Sequence, residues 1–473
     1  MEEKGFATIG AVVEKVDDLV WGPWMLALLL GTGIYLMVRL RFLPLKNLKY
    51  ALLCTVGKEK SLRGRFAKVS LREQGGAGVS AFSSLTTELA ATIGTGNIVG
   101  VATAMVLGGP GALLWMMASS LLGMAVKLVE STLSVKYRIR NGNNEFAGGP
   151  MYTMARGLPD KRVGKLLGTV FAVFAVMASF GMGNMTQSNS IAEAMEVTFG
   201  VPVYRTGLVV TVLTILVVLG GIGSIAKVTR VLVPLMGIFY LAGTMGVILT
   251  HFREVPEGIC QIFVMALCPG AAWGGACGQL CVSVPQALRW GVSRGVFSNE
   301  AGLGAAGISA AAADTADPVR QGYISMTGVF LDTMVICFLT GLAIAASGVL
   351  GSVDEKGQLL TGTALTIAVF RTAFGELGAA FVSICIVLFA FATIVGWAYQ
   401  GEKAFEFLAG TGYCIWYRFF YGLVTYVGTV CSLKVVWDFS DICNALMAVP
   451  NLICVLWMSG EACREIQEYE NRK

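Results

Sequence analysis

The sequence predicts an all-α polytopic membrane protein of eleven transmembrane helices, built as two five-helix repeats of opposite topology with one extra helix at the N-terminus. Three observations lead there. The 473 residues are 55% hydrophobic and 14% charged, with a mean hydropathy of +0.70, whereas soluble chains carry about 25% charged residues. Eleven apolar stretches are long enough to cross about 30 Å of hydrocarbon. Two of them are interrupted by glycine-rich segments, each opening a run of five spans and entering from opposite sides, which is the trace of an inverted repeat.

The spans are 20–38, 80–106, 111–135, 166–192, 206–222, 231–250, 258–281, 320–348, 376–399, 412–432 and 442–459. Residues 1–78 hold the N-terminus, the extra helix and a basic loop; 79–250 and 257–460 are the repeats, and 461–473 a tail. An odd number of spans puts the termini on opposite sides. Basic loops stay in the cytoplasm, and the 39–72 loop alone holds ten lysines and arginines and the 136–165 loop seven. The N-terminus is therefore expected outside and the C-terminus in the cytoplasm of a cell membrane, with Arg289, Arg294 and Arg320 on the inner side. The first twenty residues are acidic and lack an apolar core, so no secretory signal is expected.

The second span comes undone at Ala91-Thr-Ile-Gly94-Thr95-Gly96-Asn97-Ile-Val-Gly100. An unwound membrane helix offers free amides, which attract a carboxylate, and freed carbonyls, which coordinate a small cation. Thr95 and Gly96 present amides, the carbonyls of Ala90 and Ile93 end the first half-helix, and Asn97 adds a side-chain oxygen to either. A packing notch from Gly96 to Gly100 is the plainer reading, but a notch does not need Thr92, Thr95 and Asn97. The partner break is expected at Pro269–Gly278, with Ala272, Gly274 and Gly275 at its centre.

Ionisable residues within spans are costly and mark function. Glu88 reads as an ion or proton site, or as a cytoplasmic-end residue in contact with water. Asp332, deep in the eighth span, falls under the same suspicion. Lys127 and Glu130, one turn apart, read as a couple near the inner interface. Asn184, Gln187, Ser188 and Asn189 form a polar cluster expected to face a cavity. On the ninth span Thr393 is placed to ligate a cation, while Trp397 either walls an apolar pocket or belongs to the interfacial belt. The segment Gly291–Gly307, too polar for lipid, reads as a cytoplasmic helix or re-entrant hairpin at the inner gate. His251 is expected at the surface.

Several activities drop out. No G-x-x-x-x-G-K-[ST] loop occurs, so ATP does not drive the protein, and Gly94, Gly96 and Gly100 miss dinucleotide spacing. Twelve cysteines with no C-x-x-C pair and a single histidine argue against disulfide frameworks and Cys/His metal sites. No catalytic triad or cofactor loop is evident, and a channel would need a continuous polar pore. An ion-gradient-driven or passive carrier remains.

Thr95-Gly-Asn-Ile-Val-Gly-Val-Ala-Thr-Ala104, Gly108-Gly-Pro-Gly-Ala112 with Trp115-Met116, Gly148-Gly-Pro-Met-Tyr152, Gln187-Ser-Asn-Ser190, Ser298-Asn-Glu-Ala-Gly-Leu-Gly304 and Met447-Ala-Val-Pro-Asn451 resemble, in order, motifs of the alanine or glycine:cation symporter family. The resemblance implies a leucine-transporter-type fold and sodium-coupled import of small neutral amino acids by alternating access. It implies no cofactor beyond sodium as co-substrate, and no obligate protein partner. It assigns the Thr95 and Gly96 amides to the substrate carboxylate, and Asn97, Gln187, Trp397 and the Ala272–Gly275 break to the pocket. Sodium would sit on the carbonyls of Ala90 and Ile93 and the hydroxyl of Thr393. Some family members resemble glutamine carriers; a proton-coupled carrier using Glu88 or Asp332 is the competing mechanism.

Overall fold

The computed structural model describes residues 13, 15–57, 78–267, 283–354, 356–431 and 433–472. Helix α1 (Pro23–Arg39) starts on a proline, tolerated where no N–H is needed, and is followed by short α2 (Leu43–Lys46) and α3 (Leu48–Thr55). The Ser80 hydroxyl caps α4 (Ala81–Thr92) by accepting from the Ser83 amide at 3.1 Å, and after an interruption the chain resumes as α5 (Val99–Leu107). Next come α6 (Ala112–Lys136), an antiparallel hairpin of β1 (Ile139–Arg140) and β2 (Phe146–Ala147), α7 (Pro150–Gly157), α8 (Lys161–Phe199), α9 (Val203–Leu219) and α10 (Gly221–Thr250).

The second half begins with α11 (Val255–Leu267). Then come α12 (Val284–Asn299) and α13 (Ala305–Ala311), a second interrupted helix. It is followed by α14 (Pro318–Ala346), α15 (Gly362–Ala409, bent at Gly375), α16 (Cys414–Val430) and α17 (Leu433–Arg472). Among the described residues, six helices are individually long and apolar enough to span a bilayer: α6, α8, α10, α14, α15 and the Val436–Arg472 part of α17.

Burial runs the opposite way from a water-soluble protein. Residues 83–102 and 291–313 are buried throughout, although they carry Glu88, Asn97, Arg294 and Glu300. Large apolar side chains point outward instead: Leu208 and Leu216 on α9, Leu235 and Ile238 on α10, Trp416 and Phe420 on α16. Lipid takes the apolar belt, so the polar inventory collects inside. The two interrupted helices sit at the centre, with α5 against α12, both α12 and α14 along α6, and α15 against α4.

This arrangement corrects the reading of the second half. Residues 268–282, including Ala272, Gly274 and Gly275, lie outside the described residues. The interrupted helix that the structure does hold is α12–α13, broken at Glu300–Gly304 in the segment read as a cytoplasmic hairpin. That segment is polar because it faces the protein core rather than water. Arg289 moves with it: its guanidinium meets Asp18 at 2.7 Å and Asp17 at 3.5 Å, beside the start of α1. The start of α12 thus lies at the end of the molecule where α1 begins, not with the basic loops.

Candidate functional site

The first break is a sharp stop held by side chains from elsewhere. The Ile93 amide still bonds to Leu89 O at 2.7 Å, but its ψ of 85° leaves the helix. Gly94 is extended, Thr95–Asn97 form one 3-10 turn, and α5 begins after Ile98. Asn97 Oδ1 accepts from the Gly94 amide at 2.9 Å. Gln187 reaches over from α8 and accepts from both the Thr95 amide (3.2 Å) and the Thr95 hydroxyl (2.9 Å) through Oε1. Thr393 on α15 donates to Ala90 O at 2.9 Å. Gly94 must be glycine for this approach, since a Cβ would overlap Thr393 Oγ1 and lie 3.1 Å from Thr393 Cβ.

The second break is made by backbone sign rather than by caps. The Glu300 amide closes α12 on Val296 O at 2.9 Å, and then Glu300, Gly302 and Gly304 take φ of 57°, 93° and 84°. For a glutamate the left-handed region costs about 1 kcal/mol. Asn299 Oδ1 accepts from the Ala301 amide (2.9 Å), and Asn451 on α17 donates to Gly302 O (2.9 Å) and to Glu130. The two breaks touch: a Cβ on Gly96 would lie 3.2 Å from Ser298 Cα and 3.4 Å from the Phe297 ring.

Asp332 ties them together. It sits in a π-helical turn of α14, Phe330–Cys337, the kind of bulge that often marks a functional position. Its Oδ1 accepts from Asn97 Nδ2 at 2.7 Å, and its Oδ2 accepts from Ser298 Oγ at 2.8 Å and Thr333 Oγ1 at 2.7 Å. One wholly buried carboxylate therefore takes donors from both interrupted helices, satisfied as burial demands.

Glu88 is fully buried, which removes the reading that left it in water. It pairs with Lys127 (Oε1 to Nζ, 3.5 Å) and accepts from Ser325 Oγ at 2.8 Å. Lys127 also donates to Asn299 O at 2.9 Å. The ion pair thus crosses from α6 to α4, whereas Glu130, the partner expected one turn away, takes the Asn451 carboxamide. Glu300 differs from all of these: neither of its carboxyl oxygens has a hydrogen-bond partner among the described residues.

The structure brings together Ala90, Ile93, Thr95, Gly96, Asn97, Gln187, Asp332, Thr393 and Trp397, with Glu88 below them. Trp397 is no belt residue; it is wholly buried, and its ring lies against Gly183 in the π-turn Gly181–Met185 of α8. Gln187 alone of its cluster reaches the breaks. Asn184 donates to Tyr421 O (2.7 Å) and Asn189 to Gly428 O (3.1 Å), so both bind α16 instead of lining a cavity. Sequence reasoning missed Ser298, Glu300 and Thr333; the signal was the run of glycines at 302, 304 and 307 beside polar residues.

The site is closed at both ends. On the α1 side Arg294 grips Asp441 through both Nη atoms (3.2 and 2.5 Å), its guanidinium 4.8 Å from the Trp437 ring. At the other end Arg138 donates to the carbonyls of Ala311 (2.9 Å), Ala313 (2.5 Å) and Thr315 (2.6 Å), just past α13. Lys403 bridges Glu145 of the hairpin (2.9 Å) and Glu406 (2.7 Å). Partial burial pushes the Glu145 carboxyl up, but the Lys403 ammonium outweighs it and holds the group below its ordinary value.

Comparison with known proteins agrees with this geometry. The pattern that defines the sodium:alanine symporter family matches residues 6–473. The sodium/alanine symporter AgcS of Methanococcus maripaludis is 45% identical over 462 residues, 97% of each chain. The probable sodium/glutamine symporter GlnT of Bacillus subtilis is 34% identical over 466 residues, 98% of this chain and 91% of that one. The crystal structure of MhsT in complex with L-phenylalanine shares the fold, with a TM-score of 0.61 over 83% of this chain and 92% of that one at 13% identity. A polytopic helical membrane protein with two facing helix breaks and this kinship is a transporter, and the chain belongs to the sodium:alanine symporter family.

Proposed function

We propose that the protein imports small neutral amino acids, alanine and glycine foremost, driven by sodium and working by alternating access around the two breaks. The observation that carries the reading is the contact between them, with Gly96 against Ser298 and Thr393 Oγ1 on Ala90 O. The substrate carboxylate takes the amides of Thr95 and Gly96, displacing Gln187 Oε1, which already mimics a carboxylate oxygen there. Sodium replaces the Thr393 proton contact among the carbonyls of Ala90 and Ile93. Asn97 braces the break, and Trp397 closes the side-chain direction, which favours alanine and glycine over glutamine.

The chain carries eleven spans in this reading: α1, then α4–α5, α6, α8, α9 and α10, then α12–α13, α14, α15, α16 and α17. The second repeat opens at residue 284 rather than 257. The N-terminus lies outside a cell membrane, so Arg294–Asp441 is the outer closure and the Arg138 and Lys403 contacts the inner one. Labelled alanine, glycine and glutamine taken up into proteoliposomes, with and without an inward sodium gradient, test this. Uptake indifferent to sodium overturns the coupling, and glutamine outpacing alanine overturns the pocket assignment.

A further inference from the structure

Glu300 is the buried charge that the binding scheme leaves without a task. It is the first left-handed residue of the second break, wholly inaccessible, and its Oε1 and Oε2 both lack partners among the described residues. Around it stand Trp397 and Gln400 on α15, Lys127 on α6 and Glu88 on α4. Trp397 Nε1 and the Gln400 carboxamide face its carboxyl, but neither closes a hydrogen bond of normal geometry on it. Lys127 is already committed, to Glu88 at 3.5 Å and to Asn299 O at 2.9 Å.

Counting charge sharpens the point. Lys127 is the one ammonium acting on Glu88, Glu130, Glu300 and Asp332, none of them more than 2% exposed. Glu88 and Asp332 hold donors fit for a carboxylate, and Glu130 holds one. Glu300 has only the Trp397 and Gln400 side chains facing it, neither in hydrogen-bond geometry. A buried carboxylate without a closed donor or a free counter-charge is costly, whereas the neutral acid is not.

We propose that Glu300 carries a proton in the empty, closed protein and releases it when sodium binds, so that sodium and amino acid moving inward are exchanged for one proton moving outward. The inference rests on the sodium-coupled reading above. Four buried carboxyls share one ammonium, so the interior favours a further positive charge: a sodium ion at Thr393 of α15 and at Ala90 and Ile93, at the end of the helix that carries Glu88, or a proton on Glu300. In the inward-facing protein, after sodium departs, an O–H bond forms at Glu300 with a proton from cytoplasmic water. The empty core, with Glu300 uncharged, then turns outward, and sodium arriving from outside breaks that bond and sends the proton to external water. Charge and atoms balance without any further reactant.

The test uses the purified full chain in proteoliposomes containing the pH dye pyranine, clamped with potassium and valinomycin. Sodium-driven alanine uptake by the wild type should alkalinise the lumen, by about one proton per alanine. Glu300→Gln mimics the neutral acid and should fold; its uptake should proceed without alkalinisation, with the half-saturating sodium concentration raised about tenfold. As a measurement free of any variant, sodium added to the detergent-solubilised wild type in weak buffer should release close to one proton per protein. Wild-type alanine uptake without alkalinisation, or Glu300→Gln still moving protons, overturns the proposal while leaving sodium-coupled import intact. No sodium-driven uptake of any amino acid by the wild type overturns the import reading and this one with it.

Discussion

The two breaks perform the same interruption by opposite means. At the first, every residue from Ile93 to Ile98 keeps a negative φ, and the backbone is held open by side chains: Asn97 on Gly94, Gln187 on Thr95, Thr393 on Ala90. At the second, three positive φ values turn the chain, glycines are wedged against Leu29, Leu452, Pro150 and Asn451, and a glutamate is left unsatisfied. The difference separates a break held open by side chains from a strained joint that packing restrains. Under the proposed import cycle, binding energy belongs to the first break and conformational work to the second.

Substitutions can break that division. Gly94→Ala forces Thr393 away from Ala90 O and misplaces the first break, so sodium-driven uptake should fall at least about 100-fold while the protein still migrates as folded in size-exclusion chromatography; near-normal uptake would deny the first break its role. Asn451→Ala strips a donor from both Gly302 O and Glu130, and should cost about 2 kcal/mol, read as a lower unfolding temperature, with little change in alanine affinity. A large affinity loss instead would move ligand binding to the second break.

Finer changes sharpen the comparison. Gln187→Ala removes the carboxamide that, once displaced from the Thr95 amide, frames the substrate, and should raise the half-saturating alanine concentration about tenfold, equivalent to about 1.4 kcal/mol, leaving thermal stability nearly unchanged. The smallest effect lies outside both breaks. Glu145 has its folded carboxyl held below the ordinary value of 4.5 by Lys403, so its stabilisation is present above that pH and lost as pH falls through the depressed value. Thermal melts should show that acid-side decline in the wild type and a flatter profile in Glu145→Gln. Because Glu145 is 40% exposed, the difference at neutral pH should be no more than about 0.5 kcal/mol.

The first break was legible because Gly94-Thr-Gly-Asn97 interrupts residues that are otherwise apolar, and local composition alone announces it. The second was written just as plainly in Ser298–Gly304, but hydropathy hid it. Its halves are sixteen and seven residues long, and α12 carries Arg289 and Arg294, so no window reads it as a span. Those arginines are tolerable there only because Asp17, Asp18 and Asp441 arrive from distant parts of the chain. The same limit applies to Lys127. Its neighbour one turn away looked like its partner, while Glu88, on another helix, is the one that pairs with it. Gln187 was found as part of a polar cluster, yet only packing distinguishes it from Asn184 and Asn189, which brace α16.

The extra helix α1 is fastened to the last one. Trp21 donates from its indole to Asp441 O at 3.1 Å, Tyr35 and Ser459 hydroxyls meet at 3.2 Å, and Leu29 packs on Gly302. The first two contacts join residues more than 400 positions apart. Besides these contacts α1 lies along α6, with Gly33 against Leu122, so the last helix adds a second flank to a helix already seated. A chain lacking α17 would leave Trp21 and Tyr35 without these partners. The first helix and the last thereby brace each other across the whole length of the sequence between them.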